Sequence, residues 1–79
     1  MKKKTKQESE FLTSLGTTVR AIRKQKGRTL QEIAALCNAE KANFSRLETG
    51  KLNPQILTLK KIADSLQVPL MVLLPSSTI

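Results

Sequence analysis

Between Phe11 and Lys26 the apolar residues Leu12, Leu15, Val19 and Ile22 recur three and four positions apart. That spacing places them on one face of an α-helix, with Phe11 at its edge. It predicts a helix over about 11–26, ended by Gly27 as the left-handed residue. A second stripe follows at Leu30, Ile33, Ala34 and Cys37. Thr29 is its N-cap, since the hydroxyl can accept from the N–H of Gln31 or Glu32, and Glu32 can reach back to close a capping box. Asn38 breaks the stripe and tolerates the left-handed conformation. A third helix starts near Glu40 or Lys41 and runs to Glu48, with Phe44 and Leu47 facing inward and Gly50 ending it.

Beyond the loop Lys51-Leu52-Asn53, Pro54 fits the first turn of a fourth helix over about 55–66. Ile56, Leu59, Ile62, Ala63 and Leu66 should face the core, and Leu57 lies off that stripe. The run from Val68 to Leu74 reads VPLMVLL. Pro69 can start a last short helix with Leu70, Leu73 and Leu74 pointing inward, which leaves Met71 and Val72 outside. A strand paired with its copy across a dimer is the other way to cover such a run. The expected architecture is therefore all-α: a compact bundle of five short helices over residues 11–74. Residues 1–10 are polar, have no apolar face and read as a disordered basic tail. Its Lys2, Lys3, Lys4 and Lys6 are either an arm for phosphates or simply solvated. Residues 75–79 read as a C-terminal tail.

A chain of 79 residues buries a modest core, so dimerisation is expected. Charge adds a direction. Lys and Arg number 14 against 6 Asp and Glu, a net +8. Ten basic and four acidic residues remain after Glu10, so the balance is +6 without the tail. Such basicity favours an anionic partner, nucleic acid first. One Cys and no His exclude an intrachain disulfide and a structural zinc finger. Cys37, on the inner face of the second helix, reads as a small core residue. Without His, Cys37 lacks the usual partner of a cysteine nucleophile, and no Gly-rich phosphate loop exists. An enzyme is not expected, nor a cofactor or metal. No apolar run approaches the ~20 residues of a membrane span, and the N-terminal lysines precede Gln7, Glu8, Ser9 and Glu10 rather than a signal-peptide core. A cytoplasmic location is expected.

The segment from Thr29 to Lys51, two short helices around a tight turn, resembles the helix-turn-helix of the Cro and phage-repressor-like (XRE) family. The resemblance covers about residues 15–74. It is carried by Leu15-Gly16, Val19 through Arg23, Ile33-Ala34, Phe44-Ser45-Arg46-Leu47-Glu48, Gly50-Lys51, Pro54, Leu59, Ile62-Ala63 and Leu66. It implies a lambda-repressor-like fold that sets its third helix in the DNA major groove. By this resemblance Lys41, Ala42 and Arg46 hold the principal base-reading positions, flanked by Asn43. Arg or Lys can read guanine, Asn can read adenine, and Ala can touch a thymine methyl. The resemblance also implies that Arg23 and Glu48 pair as a structural bridge between the first and third helices. Glu40 reads as a cap and orientation device.

Phosphates should be held at the edges of the unit. Thr29 and Gln31 stand at the positive end of the second helix. Thr49, Lys51 and Asn53 form the other clamp. The chain departs from the family at three places. Arg28 replaces an apolar residue, Leu30 replaces a glutamine, and Met71 and Val72 replace polar or acidic residues. Arg28 or Gln31 would then take over the glutamine's contact, and Met71 with Val72 would form a dimer interface. The leading expectation is a dimeric regulator of transcription on double-stranded DNA, most simply a repressor, with polymerase contacts as a route to activation. The alternative is the antitoxin of a toxin–antitoxin pair, which binds a toxin and its own operator. Lys41, Asn43, Arg46 and Lys51 argue against a pure protein-interaction module. RNA binding lacks a stacking platform, because the chain has no Tyr or Trp and both Phe have core readings.

Overall fold

The computed structural model describes residues 3–75. Five helices follow one another: α1 (Lys6–Gln25), α2 (Leu30–Leu36), α3 (Lys41–Glu48), α4 (Ile56–Leu66) and α5 (Leu70–Leu73). No strand occurs among the described residues, so VPLMVLL is a helical turn and not a strand. The body measures 32 × 26 × 20 Å. α1 packs on α3 and α5, α2 on α3 and α4, and α4 on α5. The shared core is Leu12, Leu15 and Val19 from α1, Ile33, Ala34 and Cys37 around α2, Phe44 and Leu47 from α3, Leu59, Ile62, Ala63 and Leu66 from α4, and Leu73. These are the stripes expected from spacing, with two corrections. Ile56 is 61% exposed, one turn too early on α4 to reach the core, and Leu74 is 39% exposed. Leu74 has left the helix for an extended conformation (ψ 133°), which turns it away from the inner face.

The start of α1 also differs from expectation. The helix begins at Lys6, so the second half of the segment expected to be a disordered tail is helical. Thr5 explains it. The Glu8 N–H donates to Thr5 Oγ1 (3.0 Å), and the Thr5 N–H donates to Glu8 Oε1 (2.8 Å). A capping box thus opens the helix without an apolar face beneath it. Phe11, 43% exposed, only borders the core. Lys2 and residues 76–79 lie outside the described residues.

Four helices end the same way. At Gly27, Asn38, Gly50 and Gln67 the chain takes a positive φ of 73°, 54°, 79° and 60°. Each time the following N–H reaches back over the turn: Arg28 to the Arg23 carbonyl, Ala39 to Ala34, Lys51 to Arg46 and Val68 to Ala63, at 2.8–3.1 Å. This is the Schellman motif, which satisfies the carbonyls orphaned at a helix end. Gln67 was not expected in this role, because glutamine has no special tolerance for left-handed backbone. Pro54 was expected at the first turn of α4 but precedes its N-cap, Gln55.

The contact between α1 and α3 is close enough to need glycine on both sides. A Cβ on Gly16 would lie 2.3 Å from the Leu47 carbonyl oxygen and 2.6 Å from that of Glu48. A Cβ on Gly50 would lie 2.7 Å from Thr13 Oγ1. One turn beyond Val19, Arg23 completes the line of contacts. Its Nε donates to Glu48 Oε2 (2.6 Å) and its Nη2 to Glu48 Oε1 (3.1 Å), while Nη1 donates to the Arg28 carbonyl (2.9 Å). The two side chains are only 10% and 6% exposed. The bridge implied by the family resemblance is present, and bidentate.

Removing one partner of such a pair leaves a buried charge without compensation. Glu48→Ala should therefore lower unfolding free energy by ~3–5 kcal/mol. Chemical denaturation of the variant checks this, and an unchanged midpoint would contradict it.

Candidate nucleic-acid interface

The two-helix unit is built locally. Thr29 caps α2 as its spacing to Glu32 requires: the Glu32 N–H donates to Thr29 Oγ1 (3.1 Å) and the Thr29 N–H donates to Glu32 Oε1 (2.8 Å). These bonds stabilise the charged form and hold the Glu32 carboxyl below the ordinary glutamate range. Leu36 ends α2, Cys37 is its C-cap, and Asn38 turns the chain with its left-handed backbone. α3 then starts at Lys41 and lies on α2 and α1.

Phe44, Leu47 and Glu48 are buried, and they define the inner side of α3. At 100° per residue, Ala42 and Arg46 fall opposite them, with Ser45 and Thr49 on one flank. Lys41 stands at one edge of the outer face and Asn43 at the other. All six of these side chains are exposed. The structure thus brings Lys41, Ala42, Asn43 and Arg46 to one exposed surface, as expected. Ser45 belongs to that surface too and was not singled out from sequence. A wheel drawn about Phe44 places it there; its small side chain gave no chemical signal.

Arg28, Thr29, Gln31, Lys51 and Asn53 are all exposed. Arg28 and Thr29 lead into α2. Lys51 and Asn53 follow the turn at Gly50, whose packing on Thr13 fixes where that loop leaves the body. Thr49 fits its expected role less well. Its hydroxyl donates to the carbonyls of Ser45 (3.2 Å) and Arg46 (3.1 Å), so its proton already has partners and only lone pairs face outward. A phosphate needs donors, and Thr49 offers one only by breaking that bond. Glu40 sits at the N-cap position of α3 but makes no side-chain cap bond. Its Oε1 instead accepts from Asn43 Nδ2 at 3.4 Å.

The guanidinium of Arg23 is held charged by its hydrogen bonds and proximity to Glu48, which raise its pKa above the ordinary value. It is committed to the scaffold and not to the surface. Cys37 is buried, with its Sγ 3.4 Å from Ser65 Oγ. Among the described residues no three His, Cys, Asp or Glu side chains gather as a metal site. No described helix is long and apolar enough to cross a membrane.

Known proteins share this arrangement. A family model described as a helix-turn-helix domain matches residues 14–73. The HTH-type transcriptional repressor RghR of Bacillus subtilis (strain 168) is 34% identical over 59 residues, covering 73% of this chain and 44% of that protein. The chain therefore spans less than half the length of that curated relative. The crystal structure of the clp gene regulator ClgR from C. glutamicum superimposes with a TM-score of 0.78 at 28% identity, over 80% of this chain and 82% of that one. The DNA-binding domain of BldD superimposes with a TM-score of 0.76 at 30% identity, over 85% and 97%. By sequence match and by fold, the chain belongs to the helix-turn-helix family of the Cro and phage-repressor (XRE) type.

Proposed function

We propose that this chain is a sequence-specific transcriptional regulator, a repressor in the first instance, that binds double-stranded DNA as a dimer in the cytoplasm. The observation that carries the reading is the outer face of α3. Ala42 and Arg46 at its centre, with Lys41 and Asn43 at its edges, form a convex, cationic ridge backed by a rigid core. A B-DNA major groove is about 12 Å wide and admits one helix. Arg46 reads guanine through O6 and N7, and Lys41 reads a base or holds a phosphate beside it. Arg28, Thr29, Gln31, Lys51 and Asn53 hold the flanking phosphates, with Thr49 a lesser contributor. Repression is steric, because an occupied operator excludes polymerase. The similarity to RghR, a transcriptional repressor, and to ClgR, a gene regulator, supports this reading.

One protomer reads only a few base pairs, so specificity calls for two, with half-sites about one DNA turn apart. Met71 is 79% exposed and Val72 48%, although both are apolar and immediately precede the buried Leu73. A two-fold axis would set this strip against its own copy. The same strip would suit a toxin if the chain is an antitoxin, and solution mass distinguishes the two.

Readout and positioning separate by mutation and salt. Arg46→Ala should cost ~1–3 kcal/mol on a selected site and relax preference at one or two base pairs. Lys51→Ala should weaken all sequences alike and lower the salt slope by about one. Binding isotherms on selected and random duplexes at several salt concentrations check both. Equal losses on the two duplexes for Arg46→Ala would make it a phosphate contact.

The dimer is tested by Met71→Glu with Val72→Glu. Like charges facing each other across the axis should give a folded monomer that binds its site weakly. Sedimentation equilibrium measures the mass. A double variant that stays dimeric places the interface elsewhere, and a monomeric wild-type chain that captures a toxin favours the antitoxin reading.

A further inference from the structure

Glu40 places an acidic group immediately before the cationic ridge of α3. It is exposed, it stands at the N-cap of α3, and its carboxylate caps nothing. Its Oε1 lies 3.4 Å from Asn43 Nδ2. Asn38, Thr58 and the buried Phe44 line a shallow cleft with both side chains. None of those three carries a charge, and among the described residues Glu40 takes part in no salt bridge.

An ionised carboxylate can only accept hydrogen bonds. Beside it, the Asn43 amide must turn its nitrogen towards Glu40 and its oxygen away. A primary amide has two N–H bonds. When the N–H trans to Oδ1 is the one given to Glu40, the other remains beside Oδ1 as an adjacent donor and acceptor. That pair is what adenine N7 and N6 require in the major groove. The opposite flip would exchange donor and acceptor and set Oδ1 against the Glu40 carboxylate, where two acceptors repel.

We propose that Glu40 is a specificity-determining residue that acts through Asn43, orienting its amide to read adenine while its own negative charge weakens binding to sequences that offer no partner there. Glu40 is a positioning residue in this scheme, and Asn43 makes the base contact. The inference rests on the DNA-binding reading above. It assigns a function to an acidic group that phosphate attraction alone would disfavour. The carboxylate reduces affinity for every sequence through repulsion, and the oriented amide recovers the loss on sites with the right base. The difference between the two is discrimination.

The test is selection of binding sites from a library of random duplex DNA, by wild type, Glu40→Gln, Glu40→Ala, Asn43→Ala and the double alanine variant. Affinity for a fixed non-specific duplex is measured in parallel. Glu40 has no cap bond to lose and is exposed, so these variants should keep the wild-type fold; circular dichroism verifies this. Wild type should select a motif with adenine at the position Asn43 reads. Glu40→Ala and Asn43→Ala should each lose that preference, by about 5- to 150-fold in relative affinity. The double variant should lose no more than either single one. Glu40→Gln can still accept from the amide, so it should keep the preference while its non-specific affinity rises about fivefold at low salt. A wild-type motif selected by Glu40→Ala would overturn the proposal. So would a Glu40→Gln variant that loses the preference as fully as Glu40→Ala, since the charge itself would then be the reader. If wild type selects no motif at all, the DNA reading fails, and this inference fails with it.

Discussion

One guanidinium ties three parts of this molecule together. Arg23, near the end of α1, grips both carboxylate oxygens of Glu48 on α3 and the carbonyl of Arg28 in the loop that leads into α2. The pair should not be read as a large source of net stability, because desolvation offsets most of its attraction. What it supplies is placement. The planar fork accepts the carboxylate in one geometry, which an ammonium would not impose. Thr13, Gly16 and Arg23 lie along one side of α1, and at each of them the C-terminal half of α3 or the turn after it makes contact. α3 is thereby fixed along its length and about its own axis.

Its other side is free as a consequence. With Phe44, Leu47 and Glu48 turned in, Ala42 and Arg46 have only solvent to face. Most helical stability comes from packing rather than propensity, and an eight-residue helix alone would not persist in water. The polar outer face of α3 can therefore be chosen for recognition at little cost to folding. This division of labour explains how a small domain carries an exposed polar face on so short a helix.

Much of this was legible in the sequence, and the reasons differ by element. The Thr29–Glu32 capping box and the helix ends at Gly27, Asn38 and Gly50 were legible because each depends on residues a few positions apart. Leu12, Leu15, Val19, Ile33, Phe44, Leu47, Leu59, Ile62 and Leu66 were legible because helical spacing marks a buried face. Ile56 was misplaced because the stripe says nothing about where a helix first meets its neighbours. The early start of α1 was missed because the box at Thr5 and Glu8 has no apolar stripe beside it. Gln67 was missed because its left-handed backbone is imposed by the turn into α5, not by its own preference. The Arg23–Glu48 bridge spans 25 residues, and only resemblance to a family suggested it. The hydroxyl bonds of Thr49 and the Glu40–Asn43 contact depend on side-chain geometry, which no pattern of residue types contains.

On the proposed function, DNA binds the surface formed by α3 and its flanking turns, on a scaffold that does not rearrange. Amide chemical shifts of the 15N-labelled protein, followed through titration with a duplex, test it most directly. Shifts should concentrate at Arg28 to Gln31, Lys41 to Arg46 and Thr49 to Asn53, with Val19, Ile62 and Leu66 of the core unmoved. Shifts centred instead on α5, or on the solvent side of α1 around Arg20 and Lys24, would contradict it.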